Sequence, residues 1–176
     1  MTMPSISNQP LPGEYPPYSQ RYIELVPEEQ IVGALVHNKH EIEELLLQIP
    51  DDKWDFRYAP EKWTLKEAVI HVLDTERIMA YRALRMSRHD PTPLAGFEQD
   101  DFIPYVHAEK RSPMSIREEW NALRDSSIHV FMYLEPDDLS FIGTAAGYPF
   151  SVRALGYFIA GHARYHERII RERYLV

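Results

Sequence analysis

The sequence contains no cysteine among its 176 residues. This absence excludes a disulfide framework, a thiolate metal site and a cysteine nucleophile. Any metal ion that the protein binds must therefore be held by nitrogen and oxygen ligands.

Basic residues and long apolar segments are also scarce. The chain has 19 lysines and arginines against 27 aspartates and glutamates, a formal net charge of −8, so it lacks the basic surplus with which proteins contact phosphate backbones. No segment reads as a membrane span, and residues 1–22 lack the basic start and apolar stretch of a secretory signal. We therefore expect no nucleic-acid partner, no membrane association and a cytoplasmic location.

The length and composition fit a single globular domain. The chain is 44% hydrophobic and 26% charged, which is enough apolar material for one core. Prolines are concentrated in residues 1–22, where they fix backbone angles and remove hydrogen-bond donors. We predict an extended proline-rich tail over residues 1–22 and one domain over residues 23–176.

Two amphipathic helices are predicted in the first half of the domain. From Glu28 to Gln48 the apolar residues recur at alternating spacings of four and three, which is the pattern of one helical face, and Pro50 ends the helix. The segment Thr64-Leu65-Lys66-Glu67 has the pattern of a capping box, so a second helix is predicted from Thr64 to about Arg88.

A long connection and a third helix follow. Residues 89–113 are rich in proline, and we predict a crossover connection there with a short helix around residues 100–106. The segment Ser115-Ile116-Arg117-Glu118 is a second capping-box pattern, which predicts the start of a third helix. Glu135-Pro136 closes that helix.

The last helix is predicted from the N-cap Ser151 to about Tyr174, after a loop over residues 141–150. The sequence shows no run of strand-like alternation and no internal repeat. We therefore predict an all-α fold, a four-helix bundle with a long crossover connection between the second and third helices.

Two histidines of the last helix, His162 and His166, have the spacing of metal ligands. Residues at i and i+4 lie about 5–6 Å apart at Cβ on one helical face, so both imidazoles can reach one ion. Both lie on the predicted buried stripe, together with Leu155 and Ile159. The alternative is two core histidines that are hydrogen-bonded separately. A complete site needs a ligand from another helix, and His71 on the second helix is the best placed.

The other polar candidates are weaker. Asp74 and Glu67 lie three residues after and four residues before His71, so either carboxylate could accept its second imidazole N–H, although Glu67 fits the helix cap better. Arg82 and Asn38 lie on or near inward stripes but are more typical of structural hydrogen-bond centres. The remaining five histidines are predicted to be exposed: His37, His40, His89, His107 and His129.

In these motifs the chain resembles the DinB/YfiT-like superfamily, and within it the DinB-like domain. The resemblance covers about residues 31–174. It is carried by Tyr58-Ala59-Pro60-Glu61-Lys62-Trp63-Thr64 leading to His71 and Asp74-Thr75-Glu76, by Phe97 to Phe102, and by Ser151-Val152-Arg153-Ala154 leading to His162-Ala163-Arg164-Tyr165-His166. One branch, the sulfoxide synthases, has a glutamate where this chain has Arg168, so that activity is not expected.

The resemblance implies a bundle, frequently a homodimer, in which His71, His162 and His166 bind one divalent ion with positions open for water or substrate. Zinc or nickel is the expected metal, and iron is compatible with the ligands. Members of the family include transferases and isomerases that depend on low-molecular-weight thiols, and hydrolases. We therefore expect a small-molecule substrate and a metal-dependent enzyme such as a thiol-dependent S-transferase. The alternatives are a metal-dependent hydrolase and a non-catalytic, stress-related metal-binding protein, and the sequence identifies no catalytic residue.

Overall fold

The computed structural model describes residues 8–176. Within that range the chain forms α1 (Gln20–Ile23), α2 (Ile31–Gln48), α3 (Leu65–Ser87), α4 (Gln99–Phe102), α5 (Pro113–Phe131), α6 (Pro136–Ser140), β1 (Ile142–Ala145), β2 (Tyr148–Ser151) and α7 (Val152–Ile169). A π-helical turn, Ile170–Tyr174, follows α7 directly. The long helices α2, α3, α5 and α7 form a four-helix bundle, as predicted. None of the helices in the described range is long and apolar enough to cross a membrane.

The helices pack in an order that the sequence does not reveal. Both α5 and α7 pack against α2 and against α3, so the consecutive helices α2 and α3 lie diagonally across the bundle. Buried residues from the first half of α3 share a core cluster with the first half of α5 and the second half of α7. Helices α3 and α5 are therefore parallel, which explains why a long connection is needed between them.

The helix starts follow local capping chemistry. Thr64 and Glu67 form the predicted capping box at α3, and the Ser151 hydroxyl accepts a hydrogen bond from the Ala154 N–H at α7. The predicted start of the third helix is wrong: α5 begins at Pro113, and the Ser112 hydroxyl caps it. Proline at the first helical position has no N–H to leave unsatisfied, so Ser112-Pro113 is the better start.

The segment predicted as a loop over residues 141–150 is a β-hairpin instead. Strands β1 and β2 pair antiparallel, with Ile142 opposite Ser151 and Ala145 opposite Tyr148. The two turn residues, Ala146 and Gly147, both have positive φ, 52° and 81°, which is the backbone of the tight turns that suit the twist of a hairpin. The hairpin leads directly into α7.

The described part of the N-terminal segment packs on α7. The Glu14 carboxylate accepts a hydrogen bond from the Ser151 hydroxyl at 2.9 Å and pairs with Arg153. Short helical turns at Pro17–Ser19 and Gln20–Ile23 replace the extended backbone predicted there. The division into a tail over residues 1–22 and a domain over residues 23–176 stays a prediction, and residues 1–7 lie outside the described range.

Candidate metal centre

Three histidines meet between α3 and α7. One ring nitrogen each of His71, His162 and His166 lies within 4.8 Å of the other two, and the Nε2 atoms of His71 and His162 are 3.2 Å apart. His71 and His162 are buried and His166 is partly exposed. We call these three residues the histidine cluster. The structure thus brings together the three side chains that the sequence singled out.

The surroundings keep these imidazoles neutral. Burial lowers the pKa of His71 to about 4 and that of His166 to about 3. Burial also holds the pKa of His162 well below its usual range, and repulsion from His166 and His71 in their protonated forms and from Arg21 acts in the same direction. A neutral imidazole has a free nitrogen lone pair, which is the form that binds a metal ion.

Aromatic rings enclose the cluster. The Trp63 ring lies 4.9 Å from the ring of His71, centroid to centroid. Phe158 stacks on His162 at 5.6 Å, and Tyr22 meets the same imidazole edge-on at 5.3 Å. These walls hold the imidazoles in fixed orientations. No signal in the sequence indicates the contact of Tyr22 with His162, because the segment around Tyr22 carries no periodic pattern.

The carboxylates proposed to support His71 do not do so. Glu67 belongs to the capping box, and its side chain accepts a hydrogen bond from the Thr64 backbone N–H at 2.7 Å. Asp74 lies beside Arg77 instead, 3.6 Å from its guanidinium. The hydroxyl of Thr75 lies 3.5 Å from Nδ1, the second ring nitrogen of His71. Thr75 lies four residues after His71 and therefore directly over it on the helical face.

The remaining polar candidates are accounted for. All five histidines predicted to be exposed are exposed: His37, His40, His89, His107 and His129. Asn38 is buried and accepts a hydrogen bond from Arg124 at 2.7 Å. Arg124 also makes two hydrogen bonds to the Glu76 carboxylate, at 2.8 and 2.9 Å. Arg124, Glu76 and Asn38 together are called the ion-pair centre below.

A cavity of about 810 Å³ borders the histidine cluster. His162 and Thr75 line it next to the cluster, and Arg82 and Phe97 also contribute to its wall. Ligand sites for small molecules commonly have volumes of about 300–1,000 Å³. The cluster therefore has an adjoining space in which a small molecule fits.

The model of the DinB superfamily matches residues 34–170. The chain belongs to the DinB superfamily. The match covers α3, α5 and α7 entirely and α2 from Ala34 onward in this DinB-superfamily protein, and it includes all three members of the histidine cluster. A search of curated proteins gives no match.

Two solved structures share the fold of this DinB-superfamily protein. YfiT from Bacillus subtilis, a probable metal-dependent hydrolase with an unusual four-helix bundle topology, has a TM-score of 0.69 and 13% identity, over 88% of this chain and 84% of YfiT. A mycothiol-dependent maleylpyruvate isomerase has a TM-score of 0.67 and 13% identity, over 83% of this chain and 61% of the isomerase. The chain thus spans less than two thirds of the isomerase. At identities this low, the TM-scores establish a common fold and nothing about function.

Proposed function

We propose that His71, His162 and His166 hold one divalent metal ion, and that this DinB-superfamily protein is a metal-dependent enzyme acting on a small molecule. The observation that carries the proposal is the 3.2 Å separation of two facing Nε2 atoms. Two nitrogens at about 2.0–2.1 Å from a tetrahedral zinc ion lie roughly 3.3 Å apart. The separation therefore fits two ligands of one ion.

The hydrogen bonding of the cluster supports the same proposal. Two facing imidazole nitrogens can share one proton, but the third imidazole, which is partly exposed, takes no part in that hydrogen bond. In residues 8–176, no carboxylate forms an ion pair with any of the three rings. A metal ion would satisfy all three nitrogens at once. Imidazole ligands suit zinc, nickel and iron, of which we propose zinc or nickel as the ion.

The proposed reaction is the transfer of a low-molecular-weight thiol to an electrophile. A divalent ion held by His71, His162 and His166 would lower the pKa of a thiol or a water molecule bound to it, so that the proton passes to solvent near neutral pH. The protein contributes the aromatic walls that limit access of bulk water, and Thr75 beside His71 to orient that ring. The fold shared with a mycothiol-dependent isomerase supports thiol chemistry. The fold shared with YfiT favours a hydrolase as the second candidate. A homodimer and a cytoplasmic location stay predictions.

Elemental analysis of the untagged protein tests the metal site. We expect about one zinc, nickel or iron ion per chain in the wild type and less than about a tenth of that in His162→Ala. His129→Ala, which changes an exposed histidine of α5, is the matched control and should keep its metal. Full metal content in His162→Ala with a native helix signal would contradict the site.

Measurements of turnover and of thermal stability distinguish an enzyme from a non-catalytic metal-binding protein. The metal-loaded protein is assayed with small thiols plus model electrophiles, and separately with ester and amide substrates. Thermal unfolding is measured with and without a chelator, because an ion present at a hundredfold its dissociation constant adds about 2.7 kcal/mol. Stabilisation by metal without turnover in either assay would refute the enzymatic proposal and leave a metal-binding protein.

A further inference from the structure

Arg82 is a buried cation to which the described chain offers no acidic partner. It lies on α3 with only 2% of its surface exposed. Its Nη2 donates to the Ala95 carbonyl at 2.7 Å, and its Nη1 is 3.5 Å from the Met79 sulfur. No carboxylate within residues 8–176 forms an ion pair with it. A buried charge without a counter-ion is unfavourable, so a persistent one indicates that a partner comes from outside.

The position of Arg82 relates it to the histidine cluster. Arg82 follows His71 by eleven residues, just over three full turns, so the two residues share one face of α3. Thr75 and Met79 lie between them on that face, and both line the cavity with Arg82. Along the helix axis the two α-carbons are about 16 Å apart. The cavity therefore extends from the histidine cluster to the buried guanidinium.

The residues that line the cavity indicate which chemical group of a ligand binds to Arg82. A guanidinium presents parallel N–H donors that match a carboxylate. The acidic residues at the cavity are all exposed: Glu98, Asp100 and Asp101. Their charge disfavours a multiply charged anion such as phosphate more than a single carboxylate. Phe97 and Phe158 add apolar wall on which a hydrocarbon or aromatic body can pack.

We infer that Arg82 anchors the carboxylate of a small-molecule ligand whose other end faces the histidine cluster. The inference deepens the proposed function, because it assigns the substrate class as monocarboxylates with an apolar body. The anchoring contact itself does not require the metal ion. Binding to Arg82 can thus be measured with the metal removed, which separates the two proposals.

The experiment titrates benzoate into the full-length protein, both as purified and after metal removal, and follows binding by calorimetry. The neutral isostere benzamide and inorganic phosphate are titrated in parallel. We expect benzoate to bind both forms, and benzamide to bind at least about tenfold more weakly, because it lacks the charge that pairs with the guanidinium. Arg82→Met should raise the dissociation constant of benzoate by at least about tenfold.

Two further variants make the result specific. Arg85→Met is the matched control, since Arg85 lies on the same helix but pairs with Asp90, and it should bind benzoate like the wild type. Arg82→Lys keeps the charge without the fork and should bind with intermediate affinity. It also supplies the comparison if Arg82→Met fails to fold.

Three results would overturn the inference: benzoate binding that is unchanged in Arg82→Met or Arg82→Lys, phosphate binding more tightly than benzoate, or no benzoate binding by the wild type. Metal analysis of the same samples shows independently whether the histidine site holds an ion. A protein with metal but without Arg82-dependent binding refutes this inference alone. A protein without metal that still binds benzoate through Arg82 refutes the metal site alone.

Discussion

The ion-pair centre is fully buried in the bundle and the histidine cluster is mostly buried, yet within residues 8–176 only the first is complete. Arg124 is fully buried, and its donors reach the Glu76 carboxylate, the Asn38 amide oxygen and the Leu35 carbonyl. Its guanidinium also lies 4.4 Å from the Trp120 ring. The histidine cluster joins three basic rings, and within the described residues no acid pairs with them. A buried polar group whose partners all come from the chain itself indicates a structural role. A buried polar group that lacks such a partner indicates a binding site for a ligand.

The largest expected effect comes from breaking the ion-pair centre. Arg124→Met leaves the Glu76 carboxylate buried without its cation, so we expect the free energy of unfolding to fall by about 3–5 kcal/mol. Urea unfolding followed by circular dichroism measures the change. The contrasting variant is Arg82→Met, which removes a buried charge that has no counter-ion in the described chain and should be far milder.

The double variant Arg124→Met/Glu76→Met is the control for this comparison. It removes both charges and should recover most of the lost stability, because no uncompensated charge is left. If Arg82→Met destabilised the protein as much as Arg124→Met, the distinction between complete and incomplete polar groups would fail.

A smaller effect is expected at the boundary between the N-terminal segment and the histidine cluster. A β-carbon added at Gly161 would lie 2.0 Å from the Tyr22 carbonyl oxygen, and backbone cannot yield as a flexible side chain can. Gly161→Ala must push the N-terminal segment away from α7 beside His162, so we expect a loss of about 1–3 kcal/mol in the free energy of unfolding. Denaturant unfolding measures this loss. The same substitution should weaken the contact between the Tyr22 ring and His162.

Gly33→Ala provides the matched control on α2. A β-carbon at Gly33 would meet only the Gln30 Cβ, at 4.0 Å, so alanine should stabilise this exposed helical position by up to about 1 kcal/mol. Equal effects of the two substitutions would show that the N-terminal segment does not pack against Gly161 as described.

The long helices and the spacing of His162 and His166 followed from the sequence because both depend on periodicity along a helix. The approach of His71 from α3 depends on tertiary packing, which periodicity does not give. The Thr64 cap is a local pattern and is confirmed, whereas of the two histidines predicted on the buried stripe His162 is buried and His166 is partly exposed. Asp74 was a poor choice beside His71 because the residue at i+4, Thr75, lies over the ring while the residue at i+3 turns toward Arg77.

The hairpin and the N-terminal segment were not predictable in the same way. Strands β1 and β2 have four residues each, which is too few for an alternation of apolar and polar residues to be recognised in the sequence. Their turn places Ala146 at positive φ, where asparagine, aspartate or glycine would have signalled a hairpin. The N-terminal segment is held by tertiary contacts such as those of Glu14 and Tyr22, which no local pattern in a proline-rich stretch records.

The smallest expected effect concerns another complete pair, located between the cluster histidines on α7. The Arg164 guanidinium donates two hydrogen bonds to the Glu28 carboxylate, at 2.7 and 2.8 Å, and they lower the pKa of Glu28 to about 2. The unfolded value is about 4.3. Above that pH both states are ionised and the stabilisation is complete. As the pH falls from about 4.3 to about 2, the unfolded chain binds a proton that the folded chain does not, so the stabilisation is lost.

Glu28→Gln should therefore reduce the free energy of unfolding by about 1 kcal/mol at pH 7, since the pair is partly exposed to solvent. The difference from the wild type should shrink through the window from pH 4.3 to 2 and vanish below it. Urea unfolding at a series of pH values measures this, with Glu44→Gln at an exposed position of α2 as the control. A difference that stayed constant across the window would mean that packing, not the charge on Glu28, sustains the pair. A pair that is complete in the structure would then not be recognisable from the pH dependence of the free energy of unfolding.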